Sequence, residues 1–264
     1  MRNFCPALLG LLVCVAVAVA QQPAAQPQAP RPAADRAKLL DQHLQAWEDA
    51  MKKVATLQMD GISRTDKDNQ LKYVSKMVGA AKYMKPNLAM LMLVREDKRE
   101  IFEKWICTDA AIYQYAPQEK AIVIHQLPAK KGPQVSDENF LSFMFGMKAE
   151  DAKKRFNLQI TKDKENDPYY VYIDIQPRED RDKVDFEVAR LVLNKDTYLP
   201  RQLWFRHPNK DETTWDIPQA KSGVQLDRRE FQAPKAPDGW KMVQGVKQTD
   251  GAQNAPRIIR QQQR

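Results

Sequence analysis

Lys85-Pro86-Asn87 leads into Leu88-Ala89-Met90-Leu91-Met92-Leu93-Val94, and Asp97-Lys98 closes the run. A proline-led turn, seven apolar residues and a charged turn read as one strand of a sheet. The run is apolar at odd and even positions alike, whereas an antiparallel strand with one wet face alternates. Similar segments extend on both sides of it. Strands are expected at 57–65, 70–83, 88–96, 99–107, 111–116 and 120–127, then at 157–163, 168–176, 183–194, 201–207 and 212–217. Asp60-Gly61, Asp66-Lys67-Asp68-Asn69 and Asn209-Lys210-Asp211 supply further turns. Short strands in succession indicate an antiparallel meander, and this many must curl into a sandwich, barrel or half-barrel. Within 183–194 the apolar phase switches from even (184, 186, 188) to odd (189, 191, 193), which predicts a bulge near Val188 or Ala189.

Helices flank and interrupt this meander. Asp35 is placed to cap a helix running to about Thr56, with Leu40, Leu44, Trp47, Met51 and Val54 along one face. Between the two groups of strands, Ser136 caps a predicted short helix, Asp137–Phe145, closed by Gly146. It is apolar on most of its circumference through Phe140, Leu141, Phe143, Met144 and Phe145, so it must cover something apolar. Lys148–Arg155 reads as a second, charged helix.

The ends read differently. Met1–Ala20 has a positive start at Arg2, an apolar run Leu8–Val19 and an Ala18-Val19-Ala20 cleavage site, the pattern of a secretory signal peptide. The run is too short for a stable transmembrane anchor. An uncleaved N-terminal anchor and lipidation at Cys14 are the alternatives, the second disfavoured because Val13 stands where a small residue belongs. Residues 21–34, QQPAAQPQAPRPAA, form a proline-rich linker. Residues 247–264 are polar and basic and are expected to be a disordered tail, leaving 35–246 as one folded domain. Export to the periplasm or cell envelope is the localisation this order implies.

Composition excludes several functions. With 43% hydrophobic and 29% charged residues the 264-residue chain has the make-up of a globular protein. Its nine glycines are not spaced as a phosphate-cradling loop requires, and its three histidines form no local metal pair, so neither a cofactor nor a metal is expected. The net charge of +8 is concentrated partly in the C-terminal tail, and acids and bases interleave elsewhere, which argues against a nucleic-acid surface. No G-x-S-x-G is present, Asp180 and Asp182 lie in a charged loop, and no enzymatic activity is expected. After signal cleavage Cys107 stands alone, and its neighbours Trp105, Ile106 and Ile112 suggest a buried thiol.

The order of features resembles the periplasmic lipoprotein carriers (LolA-like). Leu39–Thr56 running into Leu57-Gln58-Met59-Asp60-Gly61 looks like the family's opening helix and first strand. Lys85-Pro86-Asn87-Leu88 matches its proline-led turn, and Thr108–Pro117 its "D-G-x-x-x-x-x-Y-x-P" hairpin, with Ala110 in place of the glycine. Lys195–Leu203 resembles "D-x-x-T-x-L-P-x-x-L", and Thr213-Thr214-Trp215 and Phe231…Pro234…Gly239-Trp240 resemble its last strands. The resemblance implies an α+β fold: an antiparallel meander curled into an unclosed half-barrel, with a long N-terminal helix and short lid helices. It also implies a lid-contacting arginine, for which Arg64 and Lys82 are both positional candidates. The function expected is a non-enzymatic carrier or receptor for an acyl chain, lipoprotein or other apolar ligand. Its cavity wall would be Leu88, Met90, Met92, Trp105 and Tyr115, and its lid Phe140, Phe143 and Met144. The alternative is a cell-envelope interaction protein with a filled core, docking a protein partner through the Phe-rich helix.

Overall fold

The computed structural model describes residues 32–127 and 148–245. The expected signal peptide (1–20), most of the expected linker (21–34), the helix predicted over Asp137–Phe145 and the tail 247–264 lie outside the described residues. The helix α1 spans Ala33–Lys53, preceded by Pro32 rather than Asp35 at the cap position and ending short of the predicted Thr56, with Val54 already extended. Asp35 lies in its first turn and makes no cap hydrogen bond; Lys52 and Lys53 in the last turn complement the helix dipole at the other end. Lys85 Nζ closes that end by donating to the carbonyls of Met51 and Lys52. Leu40, Leu44, Trp47 and Met51 are buried along one stripe, as their spacing requires. Leu44 and Trp47 contribute about 1.5–3 kcal/mol each by leaving water.

Thirteen strands among the described residues form one sheet. They are β1 Thr56–Lys67, β2 Val74–Met84, β3 Leu88–Arg95, β4 Phe102–Cys107, β5 Ala111–Ala116, β6 Ala121–Gln126, β7 Phe156–Ile160, β8 Tyr170–Pro177, β9 Val188–Asn194, β10 Pro200–Arg206, β11 Glu212–Asp216, β12 Gln219–Ser222 and β13 Lys241–Gln244. The order is β13-β6-β5-β4-β3-β2-β1-β11-β10-β9-β8-β7, with β12 paired to β1. The two ends, β13 and β7, are not paired, so the sheet is an unclosed meander, as the resemblance implied. All pairings are antiparallel except β13 with β6. The charged helix α2, Ala149–Arg155, precedes β7, and a single helical turn, α3, Asp180–Lys183, precedes β9.

Three local expectations are corrected. Asp60-Gly61 is not a turn between strands but a bulge within β1, between Met59 and Ile62, with Gly61 at φ +65°. The bulge divides β1 into a half that pairs with β12 and a half that pairs with β11. There is no bulge at Val188 or Ala189, where the register with β8 and β10 is unbroken; the phase switch marks the passage from α3 into β9. The stretch from Phe231 to Trp240, likened above to the family's last strands, is the end of a 3-10 turn and irregular chain that leads into β13; β12 was not anticipated.

Directly paired residues of neighbouring strands share a face, which gives the sheet two distinct sides. The face carrying α1 includes Leu57 and Met59, Ala81 and Tyr83, Ala89 and Leu93, then Leu191, Leu203 and Trp215, all in or against one core with the α1 stripe. This explains the uniformly apolar β3. Its odd residues Ala89, Leu91 and Leu93 join the helix-covered core. Its even residues Leu88 and Met90 face the other way, where a 3-10 turn, Arg228–Phe231, lies against β3 and Phe231 is buried. That turn belongs to a strap, 223–240, which leaves β1 at the Gly223 N–H to Thr56 carbonyl bond and is tied along the way by Lys82–Glu230 and Arg228–Asp109. It ends with Trp240 packed on Phe102 and Tyr115 and passes into β13.

Candidate functional site

On the α1 side, the core reaches β3 but the wing formed by β4, β5, β6 and β13 extends beyond it. The register aligns Trp105 with Gln114, Gln114 with Val123, and Val123 with Val243, so these four side chains form one row across the wing. Ala116, Ala121 and Lys241 form a second row beside it. Together they line a groove of about 420 Å³, with Glu103 at one side and Glu119, Phe102 and Tyr115 towards the turns. The small Ala116 and Ala121 leave space where larger side chains would fill it. That volume lies within the range of about 300–1,000 Å³ common for small-ligand sites.

The inner side of the groove is an ion-pair cluster. Arg64 on β1 donates from both terminal nitrogens to the two carboxylate oxygens of Glu103 on β4, each at 2.7 Å. Its Nε donates to Asp66 at 3.0 Å, and the guanidinium lies 5.4 Å from the Trp215 ring. Asp66 in turn accepts from the Thr213 hydroxyl at 2.8 Å. On a flat sheet β1 and β4 would be three strand spacings apart, about 14 Å. Two side chains joined by a bidentate bond across that gap show that the sheet curls with the α1 side concave. Burial works against the Arg64 charge, but Glu103 and Asp66 more than offset it and hold the guanidinium protonated above its ordinary range.

The predicted wall residues divide between the two faces. Trp105 stands in the groove row, whereas Tyr115, although beside the groove, pairs with Ile122 on the opposite phase and packs its ring on Trp240 of the strap. Leu88, Met90 and Met92 do not share that wall: Met90 pairs with Ile106 and Met92 with Lys104, on the face opposite Trp105. A strand exposes alternate residues to alternate sides, and the groove falls on the odd phase of β3 and β4. The lid residues Phe140, Phe143 and Met144 lie outside the described residues. Of the two basic candidates, Arg64 is on the concave side, whereas Lys82 is on the strap side and pairs with Glu230 at 2.5 Å. Sequence reasoning did not find Glu103, Val123 or Val243 as groove residues. Ile122-Val123-Ile124 carried a signal, being apolar on both phases, but β13 is parallel to β6 and no local pattern announces a parallel partner.

Other titratable groups have structural partners. Burial, with a smaller contribution from Asp109, pushes the Cys107 thiol up to about 12, so the buried sulfur is held as the neutral thiol and is a poor nucleophile. Burial lowers His125, whose Nε2 lies 3.0 Å from the Gln114 amide oxygen. Asp182 is buried against Arg155 at 2.6 Å and fastens α3 to α2, while Asp180 pairs with Lys183. Among the described residues no cluster of His, Cys, Asp or Glu is arranged to hold a metal ion, and no helix is long and apolar enough to cross a membrane.

No protein-family model and no curated protein matches the chain. Similar solved structures do exist. An uncharacterized conserved protein from Thermus thermophilus is 9% identical, with a TM-score of 0.47, over 77% of this chain and 98% of that one. A chain of the Pseudomonas aeruginosa MucA/MucB complex is 11% identical, with a TM-score of 0.41, over 74% of this chain and 61% of that one. A LolA superfamily protein from Nitrosomonas europaea is 8% identical, with a TM-score of 0.32, over 74% and 97% respectively.

Proposed function

We propose that the chain is an exported, non-enzymatic binding protein that holds an acyl chain, or another slender apolar group, in the groove of the β4–β5–β6–β13 wing. The observation that carries this reading is the groove itself: an apolar trough of about 420 Å³ on the concave side of an unclosed sheet, beyond the reach of α1. Binding would be driven by removal of hydrocarbon from water, about 0.8 kcal/mol per methylene, less the cost of association and ordering. The Arg64–Glu103–Asp66 cluster would brace the groove's inner side and keep the curl open, with Arg64 already committed to two carboxylates and not available to a ligand.

The test is a titration of delipidated protein with a fluorescent fatty acid. Saturable one-to-one binding is expected, and Val123→Asp is expected to weaken it about tenfold or more, because a carboxylate in the trough must be desolvated when the chain enters. Met92→Asp, on the opposite face, is expected to leave the affinity unchanged. Absence of binding at high micromolar ligand, or equal loss in both variants, contradicts the reading.

A further inference from the structure

The geometry points to a second surface, independent of the groove: the β1–β2 hairpin tip is a docking element for an anionic lipid bilayer. Among the described residues, three large apolar side chains left in water fall within four positions, with Leu71 at 79%, Tyr73 at 47% and Val74 at 56% of full exposure. They are displayed by a braced turn. Asp68 accepts from the backbone N–H groups of Gln70 and Leu71, and its own N–H donates to the Tyr73 carbonyl. The Asn69 N–H donates to Asp211, which is buried in the β10–β11 turn, and the Tyr73 hydroxyl accepts from Arg95 at 2.6 Å. Leu71 is therefore held out in water by a structured hairpin.

Charge and size choose the occupant. Lys67, Lys72 and Lys76 flank the apolar trio in sequence; Asp68, the one carboxylate in 67–76, is spent on the turn, and Glu212 stands opposite Lys67 on the neighbouring strand. Lys76 also meets Glu96 at 3.1 Å, an exposed pair of small worth that a phosphate could displace. An apolar tip flanked by lysines, with Lys72 at its turn, fits the boundary between phosphate headgroups and acyl chains. The patch is far smaller than the roughly 800 Å² per partner of a stable protein interface, whereas a bilayer needs only a few side chains to enter it.

Position supports the same occupant. The strands alternate in direction, so the turns β1–β2, β3–β4, β5–β6 and β10–β11 share one end of the sheet. The groove residues Phe102, Ala116, Glu119 and Ala121 lie at that end too. A hairpin resting on a bilayer would thus bring the open end of the groove to the lipid.

Co-sedimentation with vesicles tests this directly, using phosphatidylcholine mixed with phosphatidylglycerol against phosphatidylcholine alone. The protein is expected to bind the mixed vesicles, less so in raised salt, and to bind the neutral ones far more weakly. Leu71→Asp should reduce binding at least about tenfold and Lys72→Glu several-fold, with melting temperatures unchanged because both side chains are in water. Val123→Asp, which weakens the groove's hold on an acyl chain, should leave vesicle binding intact, so failure of one idea is distinguishable from failure of the other. No binding to mixed vesicles overturns the assignment. So does binding undiminished by Leu71→Asp, which would place the contact elsewhere on the chain. Loss of an envelope protein partner in Leu71→Asp, without vesicle binding by the parent, would assign the tip to a protein instead and equally overturn it.

Discussion

Gly79→Ala is expected to lose about 3 kcal/mol or more of folding stability, at or beyond the upper end of the usual cost of overpacking. Gly79 lies in mid-β2 opposite Leu93, on the concave side. A Cβ there would stand 1.8 Å from the Met92 carbonyl oxygen and 2.9 Å from its carbon. Those are backbone atoms of a hydrogen-bonded ladder and cannot turn aside as a flexible side chain would. The strands must part, and the curl that brings β1 within reach of β4 must relax. Gly61→Ala is the comparison. It combines φ +65° with a Pro218 Cγ at 3.3 Å, and should cost about 1–2 kcal/mol. Urea unfolding followed by tryptophan fluorescence gives both values. A Gly79→Ala cost no larger than that of Gly61→Ala would mean that β2 and β3 are not pressed together as described.

Arg64→Ala is expected to cost about 3 kcal/mol, because it removes the common partner of two carboxylates rather than one surface charge. Glu103 would lose a bidentate bond and Asp66 a bond at 3.0 Å, leaving both partly buried on the same side of the sheet without their counter-ion. The packing of the guanidinium on Trp215 and against the Met77 sulfur would go as well. Adding Glu103→Gln to Arg64→Ala should recover part of the loss, since it removes a stranded charge. Simple additivity of the two substitutions in urea unfolding would show that the pair is not coupled across the groove. Loss of stability in Arg64→Ala should be accompanied by weaker fatty-acid binding, because the brace and the groove wall share Glu103.

The meander was legible because its signals are local. Alternation, turn residues and strand length placed eleven strands within five residues of their observed bounds, and the spacing of Leu40, Leu44, Trp47 and Met51 located α1. Faces were harder. The uniformly apolar β3 announced two covered sides but not which side holds what, so Met90 and Met92 were grouped with Trp105 although a strand's two-residue period sets them apart. What covers the second side is the strap 223–240, whose few apolar residues, Phe231 and Trp240 among them, have no periodicity to read. The same limit hid β13: four residues paired in parallel to a strand more than a hundred positions earlier leave no mark in their own sequence. Arg64 was visible only as a position, because its meaning depends on Glu103, thirty-nine residues away.

On the function proposed above, the concave wing is an open trough that takes an apolar chain. Native mass spectrometry of the protein purified from its own host tests it most directly. A population heavier than the bare chain by the mass of one lipid, acyl chain or lipopeptide is expected, released by organic extraction and diminished in Val123→Asp. A chain recovered only at its bare mass, or only in a stoichiometric complex with another protein and no extractable lipid, would contradict it.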